Sequence, residues 1–294
     1  MTTMKHWFFA GLTLWATAMA HAQVTLTHVH GLAYSPDGRR LMVPSHHGLA
    51  VYESGRWSKA PGPQHDYMGF SATARDLYSS GHPAPDSSLV NPFGLMRSRD
   101  GGKTWQRLGL EGESDFHILG AGWNSHAIYV WNPAANSRML APGLHFTLDE
   151  GKSWKVSRAV GLEGDPIAVA AHPDDPKLVA LATSRGIFES GDSGESFQRI
   201  GAGQGTAVHY ELDGRYLWHG NFEGGAPRLV RAMLRGGAPA TIELPRLAED
   251  AVAFIAQNPA QRSEYAIATF RRSVFVSKDG GKTWARIADQ GKGV

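Results

Sequence analysis

Short hydrophobic runs, each followed by turn-forming residues, recur along the whole chain. In the clearest stretch, residues 167–172, 178–183, 186–190 and 197–200 form four such runs, and Pro173-Asp174-Asp175-Pro176 separates the first two. Short runs of this kind, bounded by Gly, Pro, Asp and Ser, are typical of β-strands. The pattern therefore predicts an all-β protein built from units of four short strands.

One eight-residue segment at positions 98–105 returns three times, at positions 147–154, 190–197 and 277–284. The four copies share the pattern Ser/Thr-x-Asp-x-Gly-x-Ser/Thr-aromatic. We expect the Asp to accept hydrogen bonds from nearby backbone N–H groups and the Gly to adopt a positive φ, as in a hairpin turn. The aromatic residue then begins the return strand and packs into the core.

This pattern resembles the Asp-box (BNR) repeat of sialidases, sortilin-type receptors and photosystem-assembly propellers. The resemblance implies a β-propeller in which each box lies on the outer underside, away from the face that binds ligands. It also extends to bacterial exported proteins described as BNR-repeat or glycosylhydrolase-like. It indicates an architecture and leaves the activity open.

A second repeated feature, a Gly at a fixed distance before the box, gives the number of units. A Gly stands six residues before the box Asp at Gly94, Gly143 and Gly186, and the same spacing extends to positions 48, 228 and 273. These six positions are 42 to 49 residues apart, which is the size of a four-stranded propeller blade. The sequence thus predicts one domain over residues 23–294, a six-bladed β-propeller with four-stranded antiparallel blades, with seven blades as the alternative. It also predicts long connections between second and third strands at 79–93, 132–142 and 219–227.

Residues 1–22 have the three parts of an export signal. Lys5 provides the basic front, positions 7–19 the apolar run, and Ala20-His21-Ala22 the cleavage site. We therefore expect a periplasmic or secreted protein that has no membrane contact after cleavage. The formal net charge of +2 gives no basis for nucleic-acid binding, and the absence of Cys excludes thiolate ligands and nucleophiles.

Histidines concentrate on one predicted face. In a propeller, the loops that enter each inner strand and the loops between second and third strands share the ligand face. Seven of the twelve histidines that follow the signal segment fall in such loops of the first three blades. The predicted metal ligands are His30, His47, His82 and His117, which occupy matching places in adjacent blades, with His28, His46, His65 and Met68 in reserve. Imidazoles without Cys suit copper or zinc, and the Met thioether favours copper.

Two other function classes remain open. A sialidase would need an Arg-Ile-Pro motif on the opening blade, and the chain has His28-Val29-His30-Gly31 there instead. Glycoside hydrolysis by two carboxylates remains an alternative. Its candidate acids and bases are Asp66, Asp115, Asp165 and Asp250, with Arg185, Arg271 and Arg272 as possible anion ligands. The third class is an assembly factor that holds a periplasmic partner protein. The leading hypothesis is a monomeric, non-enzymatic propeller that captures a metal ion.

Overall fold

Every regular element of residues 24–294, the part of the chain that the computed structural model describes, is a β-strand. The predicted signal segment lies outside these residues. The strands form six antiparallel sheets, each with its strands in chain order. The sequence prediction of six antiparallel blades, rather than seven, is confirmed; five sheets have the predicted four strands, and the sixth has a short fifth strand as well.

The strand bounds follow the predicted units. Blades 1 and 2 consist of β1 (Ala33–Tyr34), β2 (Leu41–Ser45), β3 (Gly48–Glu53) and β4 (Arg56–Lys59), then β5 (Asp66–Ala72), β6 (Leu77–His82), β7 (Leu95–Ser98) and β8 (Gln106–Gly109). Blades 3 and 4 consist of β9 (Leu119–Ala121), β10 (Ile128–Asn132), β11 (Gly143–Thr147) and β12 (Lys155–Val156), then β13 (Pro166–Ala171), β14 (Val179–Thr183), β15 (Gly186–Ser190) and β16 (Gln198–Gly201). Blades 5 and 6 consist of β17 (Gln204–Tyr210), β18 (Tyr216–Glu223), β19 (Ala226–Met233) and β20 (Ala240–Ile242), then β21 (Val252–Gln257), β22 (Tyr265–Thr269), β23 (Val274–Ser277), β24 (Ala285–Asp289) and β25 (Lys292–Gly293).

The hydrophobic core lies between neighbouring blades and closes the ring. Six buried clusters join blades 1 and 2, 2 and 3, 3 and 4, 4 and 5, 5 and 6, and 6 and 1. The last junction also uses backbone contacts, because Leu26 N donates to Gly291 O at 2.7 Å and Thr25 bridges Lys292. Trp57 of blade 1 donates its indole N–H to the carbonyl of Ile287 in blade 6 at 2.7 Å. Each blade thus covers the apolar face of the next. Because blade 6 also packs against blade 1, the apolar faces of the first and last blades are covered as well.

The Asp boxes form the turns between third and fourth strands, as predicted. In the second box, Asp149 Oδ1 accepts from Ser153 N at 2.9 Å and Asp149 Oδ2 accepts from the Ser153 hydroxyl at 2.6 Å. Thr147 Oγ1 in turn accepts from Gly151 N, whose φ is 80°. The hydroxyl and backbone bonds from Ser153 lower the pKa of Asp149 to about 2. The same bonds recur in the other three boxes, so the turn is set by local hydrogen bonding.

The predicted long connection over 219–227 in blade 5 is wrong. Strands β18 and β19 pair continuously from Tyr216 with Met233 to Glu223 with Ala226. The turn between them is only Gly224-Gly225, and both glycines have a positive φ, which a two-residue hairpin requires. His219 consequently lies within β18, 4% exposed, and not in a surface loop.

Within residues 24–294, no helix is long and apolar enough to span a bilayer.

Candidate metal centre

Three histidines of blade 1 meet at one mouth of the central channel. His28 and His30 lie in the segment that enters β1, and His46 lies in the turn between β2 and β3. One ligating nitrogen of each lies within 4.8 Å of the other two. Two nitrogens that bind one Zn²⁺ at about 2.1 Å in tetrahedral geometry are about 3.4 Å apart, so the imidazoles must move closer together for joint binding. We call these three residues the first histidine group.

The carboxylate of Asp66, at the start of β5 in blade 2, orients this group. His46 Nδ1 donates a hydrogen bond to Asp66 Oδ2 at 2.6 Å, so Nε2 is the nitrogen of this ring that is available to a metal ion. His30 Nε2 lies 3.9 Å from Asp66 Oδ1, and both of these buried atoms lack a hydrogen-bond partner. Buried polar atoms without partners are uncommon. A cation placed between the imidazole and the carboxylate satisfies both.

A second cluster joins blades 2 and 3 on the same face and consists of His82, Asp115 and His117. Asp115 Oδ2 lies 2.7 Å from His117 Nε2 and 3.0 Å from His82 Nε2. On its other side, His82 Nδ1 is 2.7 Å from Asn91 Oδ1, and this amide oxygen accepts the Nδ1 proton. His82 Nε2 is therefore the nitrogen that faces the carboxylate of Asp115. We call these three residues the second histidine group.

The two groups influence each other electrostatically. Burial is the main reason that the pKa of His30 falls to about 4; Asp66 opposes the shift, and neighbouring histidines, His117 among them, add to it. For His117, the hydrogen bond to Asp115 raises the pKa. At neutral pH, His30 is thus an unprotonated imidazole, the form that binds metals.

The central channel begins between the two groups. His30 and His117 line its cavity of about 150 Å³, whose walls are mostly small aliphatic side chains of the six inner strands. His209 of β17 lines the same cavity, burial lowers its pKa to about 4, and its buried Nε2 has no hydrogen-bond partner. The channel wall therefore combines aliphatic side chains with polar ones, among them the neutral imidazoles of His30 and His209.

The structure divides the sequence-predicted ligands. The four histidines at matching blade positions do not form one site, because His30 belongs to the first group, His82 and His117 belong to the second, and His47 belongs to neither. His47 is exposed while its neighbour His46 turns inward, since adjacent residues in a turn between strands point in different directions. Of the reserve ligands, His28 and His46 are in the first group.

The remaining two reserve residues are in other surroundings. His65 is 5% exposed, its Nδ1 accepts from Ala84 N at 3.0 Å, and its ring packs against Tyr67 and Phe93. These contacts fix His65 within blade 2 and outside both groups. Met68 lies in β5 and is 8% exposed.

Sequence reasoning missed Asp66 and Asp115 as partners of the histidines, having considered them only as acids or bases of a hydrolase. Their signal in the sequence is adjacency, since Asp66 follows His65 and Asp115 stands two residues before His117. The other candidate carboxylates belong to blades 4 and 6. Asp250 is already engaged, because its Oδ1 accepts from the backbone N–H groups of residues 251 and 271 at 2.9 and 3.0 Å.

Comparison with known proteins agrees with this architecture. A family model for the BNR/Asp-box repeat matches residues 96–107 and 275–286, which are two of the four boxes built by the same hydrogen bonds. The chain is an Asp-box β-propeller. This propeller is 28% identical to a xyloglucanase of Paenibacillus sp over 217 residues. The aligned segment covers 68% of the chain and 20% of that enzyme. The chain thus spans about a fifth of the length of this curated relative.

Solved structures resemble the propeller over nearly its whole length. A GH74 enzyme of Niastella koreensis superposes with a TM-score of 0.59 at 16% identity, over 90% of this chain and 46% of that one. YCF48 bound to D1 peptide superposes with a TM-score of 0.51 at 16% identity, over 92% and 85%. Identities this low indicate a shared fold, while activity belongs to the individual site.

Proposed function

We propose that this propeller captures a transition-metal ion, copper before zinc, at the mouth of its central channel. The observation that carries the proposal is the first histidine group, in which one nitrogen of each of three imidazoles lies within 4.8 Å of the other two. The buried, unpartnered Nε2 of His30 and Oδ1 of Asp66 support it. A closed ring of six blades holds such ligands in place with little reorganisation, which favours capture.

The donor set determines the choice of metal. Three imidazoles and a nearby carboxylate, with no Cys in the chain, suit Cu²⁺ and Zn²⁺, and Cu²⁺ binds nitrogen sites more tightly in the divalent series. The second histidine group is expected to bind more weakly. There a metal ion must first break the contacts of 2.7 and 3.0 Å that already join both imidazoles to Asp115.

Export remains part of the proposal through the predicted signal at residues 1–22. A periplasmic or secreted monomer would meet metal ions directly. The proposal involves no binding to nucleic acid or to a membrane. Binding of a periplasmic partner protein at the same face remains a prediction from the Asp-box resemblance. The structural similarity to YCF48 adds only the common fold to that prediction.

Metal analysis of the purified chain tests the leading proposal. After Cu²⁺ loading and dialysis, we expect about one tightly held ion per chain by mass spectrometry of metals, and none in the double variant His28→Ala/His46→Ala. The matched control is His47→Ala, which removes an exposed histidine of the same turn and should retain the ion. Substoichiometric copper and zinc in the wild type, or equal binding by the double variant, would refute the proposal.

The second candidate function is glycoside hydrolysis, favoured by the 28% identity to a xyloglucanase. Asp66 and Asp115, carboxylates of adjacent blades on one face, are its candidate acid and base. If this function holds, xyloglucan is cleaved in the presence of EDTA, and Asp66→Asn or Asp115→Asn abolishes the release of reducing sugar. Absence of EDTA-resistant cleavage by the wild type eliminates this candidate for xyloglucan.

A further inference from the structure

A groove of about 640 Å³ lies beside the first histidine group, at the junction of blades 6 and 1. His28 and His30 line one part of it, and Phe270, Arg271 and Arg272, from the turn between β22 and β23, line another. Two residues of the first histidine group therefore also form part of the groove wall. The group supplies three imidazole donors, and a ligand in the groove would take the next coordination position of a bound ion, beside the Asp66 carboxylate or in its place.

Two arginines and no carboxylate are among the described residues that line this groove. Arg271 Nη2 pairs with Glu249 Oε2 at 3.0 Å. In the part of the chain from residue 24 onward, Arg272 forms no ion pair within 4.0 Å, and one of its five N–H groups donates to Thr27 O at 2.9 Å. The remaining guanidinium donors have the planar arrangement that binds a carboxylate with two parallel hydrogen bonds.

The backbone at Arg272 is unusual for an arginine. Its φ is 64°, in the left-handed region that Gly adopts without strain and that disfavours residues with a Cβ by about 1–2 kcal/mol. In the repeat register, Ser273 is the blade 6 counterpart of Gly48, Gly94, Gly143 and Gly186, and Arg272 stands directly before it. Blade 6 thus holds a guanidinium in a strained backbone conformation at the end of this turn.

Two residues of the groove wall also carry a buried atom without a hydrogen-bond partner. Thr27 Oγ1 and His30 Nε2 are buried and have no hydrogen-bond partner, and both residues belong to the groove wall. Phe270, 57% exposed, adds an apolar edge. The groove therefore offers a guanidinium, an unused hydroxyl, an aromatic surface and, through the first histidine group, a metal position.

We infer that the groove binds a small organic dicarboxylate as a co-ligand of the metal ion. One carboxylate fills the open coordination position beside His28 and His30, and the other lies on the guanidinium of Arg272, with Thr27 Oγ1 donating to it. This inference rests on the proposed function, because the metal supplies half of the recognition. The ligand class follows from the pairing of a cation-binding group with an unpaired guanidinium in one groove.

Calorimetry of the zinc-loaded chain with malate tests the inference. Malate is suitable because it chelates zinc weakly in solution and leaves the protein loaded. We expect one malate per zinc-loaded chain and none on the zinc-free chain. Arg272→Asn should weaken malate binding about 10-fold or more, the loss expected for a charge-assisted hydrogen bond, and Asn tolerates a positive φ. Thr27→Val, which removes a hydroxyl without a partner, should weaken it several-fold.

Arg228→Asn is the matched control, because Arg228 lies beside the corresponding turn of blade 5 and pairs with Glu223 at 3.5 Å. It should bind malate as the wild type does. A zinc-loaded wild type that binds no malate would overturn the inference, and so would unchanged binding by Arg272→Asn. The zinc titration that precedes the addition of malate tests metal capture by itself, so a failure of the proposed function is recognised at that step.

Discussion

Replacing His30 with alanine is expected to weaken Cu²⁺ or Zn²⁺ binding at the channel mouth by at least about 100-fold, the upper range for losses from outer-shell changes. His30 is the ligand that the fold prepares most completely. Burial lowers its pKa to about 4, so no proton competes with the metal at neutral pH. Its Nε2 is buried without a partner. The carboxylate of Asp66, from blade 2, lies 3.9 Å from this nitrogen.

Thermal unfolding with and without metal measures this effect. A ligand at 100 times its dissociation constant stabilises the folded state by about 2.7 kcal/mol, so added Zn²⁺ should raise the unfolding temperature of the wild type but not that of His30→Ala. The control is His209→Ala, which removes another neutral histidine of the same channel. If His209→Ala loses the zinc-dependent shift as fully as His30→Ala, the loss in His30→Ala is not specific to the first histidine group and the prediction fails.

The blades could be predicted from the sequence because the Asp box is a local structure. Ser153 donates twice to Asp149, and Gly151 N donates to Thr147 Oγ1, so all these bonds lie within residues 147–153 and the pattern alone specifies the turn. The blade 5 hairpin was misjudged for the opposite reason. Its long strands β18 and β19 are held by pairing with each other, and Gly224-Gly225 was interpreted as part of a loop when it is the whole turn.

The composition of the metal site could be predicted only in part. Repeat register places histidines on the correct face, but it does not determine which side chains converge. His46 reaches Asp66 of the next blade, and His82 reaches Asp115 of the next blade. In both cases a turn between second and third strands meets the segment that enters the following blade. Such contacts depend on the angle between blades and on rotamers, which a one-dimensional spacing does not encode.

The largest effect on stability is expected from Glu211, which joins blades 5 and 6 beneath the channel. Its carboxylate is 3% exposed and accepts from Trp218 Nε1 at 2.7 Å, from Arg231 Nε and Nη2 at 2.6 and 3.0 Å, and from the Tyr265 hydroxyl at 2.8 Å. The rings of Trp218 and Tyr265 stack at 4.2 Å. Loss of the negative charge leaves Arg231 without its counterion and two buried donors with a weaker acceptor.

Glu211→Gln should therefore lower the free energy of unfolding by about 3 kcal/mol at pH 7, the low end for a broken buried ion pair. The surface control Asp213→Asn removes the partner of the exposed Arg215 and should change it by less than about 1 kcal/mol. Urea unfolding midpoints measure both. A Glu211→Gln variant within 1 kcal/mol of the wild type would show that the network contributes little to the junction of blades 5 and 6.

The difference in stability between the wild type and Glu211→Gln should depend on pH. Burial by itself raises the pKa of Glu211, but the hydrogen bonds from Arg231, Trp218 and Tyr265 outweigh it and hold the pKa below its usual value. The carboxylate thus stabilises the fold at pH values above its unfolded pKa of about 4.3, and this contribution is lost as the pH falls through the lower, folded pKa. The difference in stability between the wild type and Glu211→Gln should shrink over that interval, because protonated Glu211 resembles the amide. A difference that stays constant as the pH falls through that interval would mean that shape, and not charge, is what the network requires at this position.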